Sequence, residues 1–247
     1  MDIQNIAIGG CIRLGVFRKR GEKTPSPMDW RKVSNQNLFY LPTGIGSLVA
    51  DAIEPDNESR DRRDRGSNFF PQLNVCQYLN ADDLNWFKPA HETDVMDYRY
   101  GNLPGFLSAF DDWEKKLIIP QEITIQVPGG FKRKYGEVTK ATVKVSIPSR
   151  SQIYGEDATE GEQLELFKVE SPRYLLTRTA INTGLVAVDE NRRIKSVSPC
   201  NTYNISPLIK LDGDCTVEYD EDDCTFYPIP PKEVIEQFTN ELHKLWE

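Results

Sequence analysis

The 247-residue chain reads as an α+β protein of short, twisted antiparallel strands with two or three helices and long loops. Three observations lead there. Short apolar runs, many alternating with polar residues and bounded by glycine, proline or Asp-Gly turns, recur along the chain, as at 123–127, 141–147, 185–188 and 208–211. Apolar residues at helical spacing occur in few places, at 75–87, 105–119 and 232–246. No strand-helix-strand alternation accompanies the glycines, which argues against a doubly wound parallel sheet.

Taken in order, residues 3–17 mix Ile, Val, Leu and Phe with Gly9, Gly10 and Gly15, predicting a pair of short strands around a tight turn. Residues 18–27 are charged, contain two prolines and form a surface loop. Trp30 and the run from Leu38 to Leu41 predict one or two strands that carry a large aromatic into the core. Gly44 and Gly46 imitate a nucleotide-binding turn, but the fingerprint needs a third glycine where Val49 stands, so a plain glycine turn is expected. Residues 54–65 hold five acids and four arginines, the composition of a solvated, self-paired loop.

A short buried helix is expected over 75–87, with Asn74 as its N-cap. A second, over 105–119, has Ser108 and Asp111 in capping-box positions and Trp113, Leu117 and Ile118 on one face; Pro120 stops it. Strands at 123–127 and 141–147 flank Pro128-Gly129-Gly130 and the basic 132–134. The centre of the chain is 149–193: a polar, Gly-punctuated segment, then the apolar run Tyr174 to Ala180 containing Arg178, then a second apolar run at 184–189. Strands follow at 194–197 and 208–211. Residues 215–219 and 225–227 predict a hairpin about the acids 220–223, with Tyr219 opposite Cys224 and Cys215 out of register for a disulfide. One domain over 1–227 is therefore expected, followed over 228–247 by a proline spacer and an amphipathic helix bearing Val234, Ile235, Phe238, Leu242, Leu245 and Trp246.

Composition excludes several functions. A hydrophobic content of 38% with 4 Trp, 10 Tyr and 11 Phe is that of a folded protein. A net charge of −8 opposes gripping nucleic acid or an anionic membrane through the overall field. Five cysteines without a Cys-x-x-Cys suggest neither a zinc site nor a disulfide framework. With no signal pattern and no apolar run near the ~20 residues that cross a bilayer, the chain is expected to be soluble and made in the cytoplasm.

Several segments, in their order, resemble a domain of unknown function found in bacterial and phage proteins, including phage minor structural proteins. They are Gly9-Gly10, Leu14-Gly15 and Trp30; Glu54-Pro55-Asp56-Asn57; Arg65-Gly66-Ser67-Asn68; Gln77 and Leu79-Asn80; and Trp86-Phe87, His91 and Asp94. Pro104-Gly105-Phe106-Leu107 with Glu114-Lys115, the segment from Ile147 to Gly155, and Glu160-Gly161-Glu162-Gln163 continue the pattern. Leu176-Thr177-Arg178-Thr179-Ala180 is similar to the family's W-[LT]-R-[ST]-P, and Asn204-Ile205-Ser206-Pro207 to its G-[IV]-R-P. Three positions depart: Leu176 replaces Trp, Ala180 replaces Pro and Ser206 replaces Arg. The resemblance spans roughly residues 5–211. It implies a C-type-lectin-like architecture related to formylglycine-generating enzymes, a place in a virion, and other particle proteins or a surface glycan as partners.

Candidate binding residues are Arg178, Thr179, Tyr174, Trp86 and His91. Arg178 sits in apolar company and must find a carboxylate or several carbonyls, either as a core tie that organises loops or as a ligand contact. A Cys76–His91 dyad lacks an orienting third residue, no Gly-x-Ser-x-Gly elbow occurs, and neighbouring acids such as Asp111 and Asp112 diverge on a helix, so no catalytic residue is assigned. Asp212, Asp214, Asp220 and Asp222 are weak candidates for calcium, against a solvated acidic hairpin; no other cofactor is expected. The expected function is a non-enzymatic virion-associated module, with a homo-oligomer formed through the C-terminal helix as one mode of assembly. The alternatives are a glycan- or peptidoglycan-acting enzyme, which would need two acids ~5–9.5 Å apart in one cleft, and a free carbohydrate-binding module with exposed aromatics around a carboxylate-rich pocket.

Overall fold

The computed structural model describes residues 1–127, 138–155, 159–167, 174–181, 183–191 and 193–246. The expected turn at 128–130, the basic 132–134 and the side chains of Leu245 and Trp246 lie outside what is described. In chain order the strands are β1 (Cys11–Phe17), β2 (Ser26–Lys32), β3 (Leu38–Tyr40), β4 (Ser47–Val49), β5 (Ile118–Ile119), β6 (Gln121–Gln126), β7 (Val138–Val143) and β8 (Val145–Ser146). They continue as β9 (Leu175–Ile181), β10 (Gly184–Val188), β11 (Ile194–Val197), β12 (Thr202–Asn204), β13 (Leu208–Leu211), β14 (Val217–Asp220) and β15 (Thr225–Pro228). The helices are α1 (Arg60–Arg65), α2 (Asn74–Leu79), α3 (Asp112–Leu117), α4 (Arg150–Tyr154) and α5 (Lys232–Trp246). The α+β class expected from the sequence is what the chain adopts.

An eight-stranded sheet runs β14-β15-β1-β2-β3-β13-β5, with β8 also paired to β13. Its neighbours are antiparallel except β1 and β15, which run parallel and bring residues 225–226 against 11–12. A five-stranded sheet runs β11-β10-β9-β12-β4, and β6 and β7 form a two-stranded ribbon. Trp30 on β2 is fully buried, its ring against Phe106 and Phe110 and its Nε1–H donated to Leu14 O at 3.0 Å. Of the seven residues of β9 six are buried, and all of β10 is. These strands are covered on both faces, which is why they read as unbroken apolar runs rather than alternating ones. A second core group joins Tyr40 and Leu208 of the large sheet to Leu175, Val186 and Val188 of the smaller one, with Ile153 of α4 and the loop residues Leu164 and Phe167 between them.

Several expectations change. Residues 3–17 give one strand and a 3₁₀ turn (Ile3–Asn5), not two strands. Helix α2 covers only the first part of 75–87, with Leu73 as N-cap and Asn74 as its first residue. At its end the Asn80 side chain bridges the helix to the start of β8, donating Nδ2 to Cys76 O at 2.9 Å and to Val145 O at 2.8 Å and accepting from Lys144 N at 2.8 Å. The stretch 105–119 divides into a 3₁₀ turn (Phe106–Ala109), α3 and β5; Asp111 is the N-cap of α3, its N–H donated to Glu114 Oε2 at 2.8 Å, and Ser108 plays no capping part. The hairpin exists, but its register sets Tyr219 opposite Phe226, leaving Cys224 in the turn with a positive φ of 56°. Helices α1 and α4 and strands β4 and β12 add to the sequence reading. Each is only a few residues long, and its neighbours in the fold hold it in place.

Candidate functional site

Arg178 is built in from three directions. Helix α4 starts at Ser149, whose Oγ accepts from Gln152 N at 3.1 Å while Ser149 N donates to Gln152 Oε1 at 3.1 Å. This reciprocal cap holds the Gln152 amide oxygen where Arg178 Nη1 reaches it at 2.6 Å. The same Nη1 donates to Ile147 O at 2.6 Å, and Nη2 donates to Glu160 O at 2.5 Å. The guanidinium thus ties the end of β8, the first turn of α4 and the loop at 160 to the middle of β9. Arg178 is 1% exposed, and burial pulls its pKa down to about 10 against the opposing charge of Glu160, so it stays protonated at neutral pH. Its Nε–H finds no acceptor among the described residues.

The buried Glu160 carboxylate is engaged elsewhere. Its Oε1 accepts from Gln126 N at 3.0 Å and its Oε2 from Thr179 Oγ1, while Thr179 Oγ1 accepts from Arg150 N at 2.8 Å. Beside this node opens a cleft of about 400 Å³, lined in part by Arg178, Glu160, Gln152, Gln121, Glu122 and Lys210. Glu160 is the one buried acid among the described residues lining it.

The other candidates lie apart from it. Trp86 is buried among Tyr78, Phe87 and Tyr100, its indole N–H donated to Leu103 O at 3.0 Å. His91 is exposed; its backbone N–H donates to Asp94 Oδ2 at 2.8 Å. Tyr174 is half-buried just before β9, with Lys195 Nζ 5.3 Å from its ring centroid. Cys76 is buried and its thiol pushed up to about 12, the wrong direction for a nucleophile. Ser206, where the resembled pattern has Arg, is buried and donates to Leu41 O at 2.6 Å, holding the loop after β3.

The stretch 54–65, expected as a solvated and self-paired loop, is helix α1 over its second half, buries Glu54, and pairs both within itself and with Asp94. Arg62 donates Nε to Glu54 Oε1 at 2.8 Å and Nη2 to Asp94 Oδ1 at 2.7 Å, and Asn57 Nδ2 donates to Glu54 Oε2 at 2.6 Å. Asp51 forms another buried node, accepting from Ser67 N at 2.6 Å and from Asn74 N and Nδ2 at 3.2 and 2.6 Å. Burial nonetheless raises its pKa to about 7. Asp212 with Asp214 and Asp220 with Asp222 stand at opposite ends of β14, each pair closed by a side-chain-to-backbone turn. Among the described residues no three His, Cys, Asp or Glu side chains gather as a cation would require.

Sequence reasoning missed Gln152 and Glu160 as partners of Arg178. The signal for Gln152 was present: Ser149 followed three residues later by Gln152 is a capping box, and Gly155 with φ 68° closes the helix it opens. No family model matches the chain, and no curated protein or solved structure does.

Proposed function

We propose that this chain is a non-enzymatic structural or binding module of a phage or prophage particle, attached to other particle proteins through α5, with a surface glycan as a second class of partner. The observation that carries the attachment is the state of α5. It follows the prolines Pro228, Pro230 and Pro231, and its side chains from residue 232 to 244 are exposed except Val234. Ile235, Phe238 and Leu242 stand at helical spacing on one face, 46%, 51% and 57% exposed. An apolar stripe on a helix that its own domain leaves uncovered is a docking element. The ordered resemblance to phage minor structural proteins supports a particle protein as its occupant.

The non-enzymatic part rests on where the buried acids are spent. Among the described residues the carboxyl groups raised in pKa, Asp51 and Glu114, line neither the cleft nor each other, and Glu160 is committed to Gln126 and Thr179. A displaced acid facing a free partner in one cleft, as glycan hydrolysis requires, is not formed among them.

The test replaces Ile235, Phe238 and Leu242 together by Glu in the full chain and follows it through particle assembly. The unsubstituted chain is expected in purified particles and the variant in the unassembled fraction. Absence of both from particles, or equal incorporation, sinks the reading. Self-association of the purified chain, lost in the variant, would make a second copy the occupant instead.

A further inference from the structure

The loop between β1 and β2 carries charge that its own domain leaves unneutralised. From 18 to 23 it holds Arg18, Lys19, Arg20 and Lys23 against the single acid Glu22, in a chain whose net charge is −8. Lys19 donates Nζ to Thr43 O at 3.2 Å, and Glu22 N donates to Lys19 O at 3.0 Å across a turn in which Gly21 has φ 92°. The loop is thus fixed in a turn that requires glycine at that place. The side chains of Arg18, Arg20 and Lys23 are exposed and make no ion pair or hydrogen bond among the described residues.

The tip of the β14–β15 hairpin has the opposite character. Five of the six residues from 218 to 223 are acids, and all six are exposed. Arg13 takes one of them, Asp223, at 2.7 Å, and its bonds to Asp29 and Tyr227 fix the tip to β1 and β2. Glu218, Asp220, Glu221 and Asp222 meet no cation among the described residues. An acidic tip alone is only a solvated surface. The place of the basic loop gives it a counterpart.

Strand β1 pairs in parallel with β15, Cys11 beside Thr225, so the acidic turn stands at the start of β1. The basic loop leaves the far end of the same seven-residue strand, a rise of roughly 20 Å. Neither segment can neutralise the other within one molecule. Between two molecules, three free cations at one end of the sheet meet four free carboxylates at the other. Nucleic acid or an anionic membrane fits the loop less well, because the rest of a chain of net charge −8 repels it.

We infer that copies of this chain associate head to tail, the 18–23 loop of one against the 218–222 tip of the next. Such a contact is heterologous, so the assembly closes into a ring if the rotation allows and otherwise extends as a filament. Exposed ion pairs contribute little each, so the contact is weak in dilute solution and strengthens where copies are held close together. It uses neither the apolar face of α5 nor its partner, and so goes beyond the attachment proposed above.

Sedimentation velocity of the full chain at about 0.01 M and about 1 M salt reads the association and its screening. Oligomers are expected at low salt, with an apparent Kd at least about tenfold higher at high salt. Arg18→Glu with Arg20→Glu and Lys23→Glu makes both ends acidic; Glu218→Lys with Glu221→Lys and Asp222→Lys makes both basic. These sets spare Lys19, Asp220 and Asp223, whose bonds shape the two segments. Each variant alone is expected to be monomeric, and an equal mixture of the two to associate again, which chains that had lost their fold could not do. The chain with Ile235, Phe238 and Leu242 replaced by Glu is expected to associate as the parent does. A parent that is monomeric at low salt, association that ignores salt or either set of substitutions, or a mixture that stays monomeric overturns the inference and leaves the attachment through α5 untouched. Association lost only in the α5 variant also overturns it and makes α5 the contact between copies. A DNA duplex bound through the loop by a chain that stays monomeric overturns it in favour of nucleic acid.

Discussion

Arg178 keeps its charge in the interior by distributing it over Ile147 O, Gln152 Oε1 and Glu160 O rather than facing a carboxylate head-on. Arg178→Met would strand those oxygens and is expected to destabilise the chain by about 3–5 kcal/mol in urea denaturation. Arg178→Lys keeps the charge but not the fork, so it should recover only part of that loss. A methionine variant as stable as the parent would mean the tie holds nothing. Asp51 makes a second prediction. Its pKa in the folded chain, about 7, lies above the ordinary 3.8. Its contribution is therefore full below pH 4 and is lost as pH rises through 7. The stability of the parent minus that of Asp51→Asn should fall between pH 4 and 7 and level off above. A difference that rises over that range would show the three N–H donors outweighing burial.

Among the elements, α4 depends most on its cap. Five residues are too few to hold a helix unaided. Ser149 both caps it and donates its Oγ–H to Glu160 O at 3.2 Å, so Ser149→Ala should cost about 1–2 kcal/mol and speed hydrogen exchange at the Gln152 amide. Unchanged exchange there would place the helix under the control of packing alone. The Ser-x-x-Gln pattern is legible in the sequence, whereas the true end of α2 is not. Apolar spacing carries on to Phe87, but the Asn80 side chain ties the helix end to Lys144 and Val145, 64 and 65 residues away. The hairpin at 217–228 shows the same limit. Its strands are plain from composition, but its register turns on which residues enter the turn, and symmetry about the acids misplaces Cys224.

For the whole molecule, the parallel pairing of β1 with β15 ties the last strand of the domain to the first, and the second core group ties the two larger sheets together where Arg178 lies. Helix α5 extends beyond that closure. The Glu substitutions in α5 that should block particle assembly are therefore expected to leave the melting temperature of the isolated chain within a degree or two, since they sit on a face the domain does not cover. A clear loss of stability would mean that α5 docks on its own domain.

Composition and periodicity alone determined the α+β class, most of the strands, the amphipathic character of α5 and the need of Arg178 for partners. These are properties of local chain and of side-chain solvation, and they are written residue by residue. The tertiary structure decided which oxygens meet Arg178, the strand order within each sheet and the existence of the cleft. Backbone carbonyls are alike at every residue, so the one that a distant guanidinium reaches leaves no mark in the sequence until the chain has folded around it.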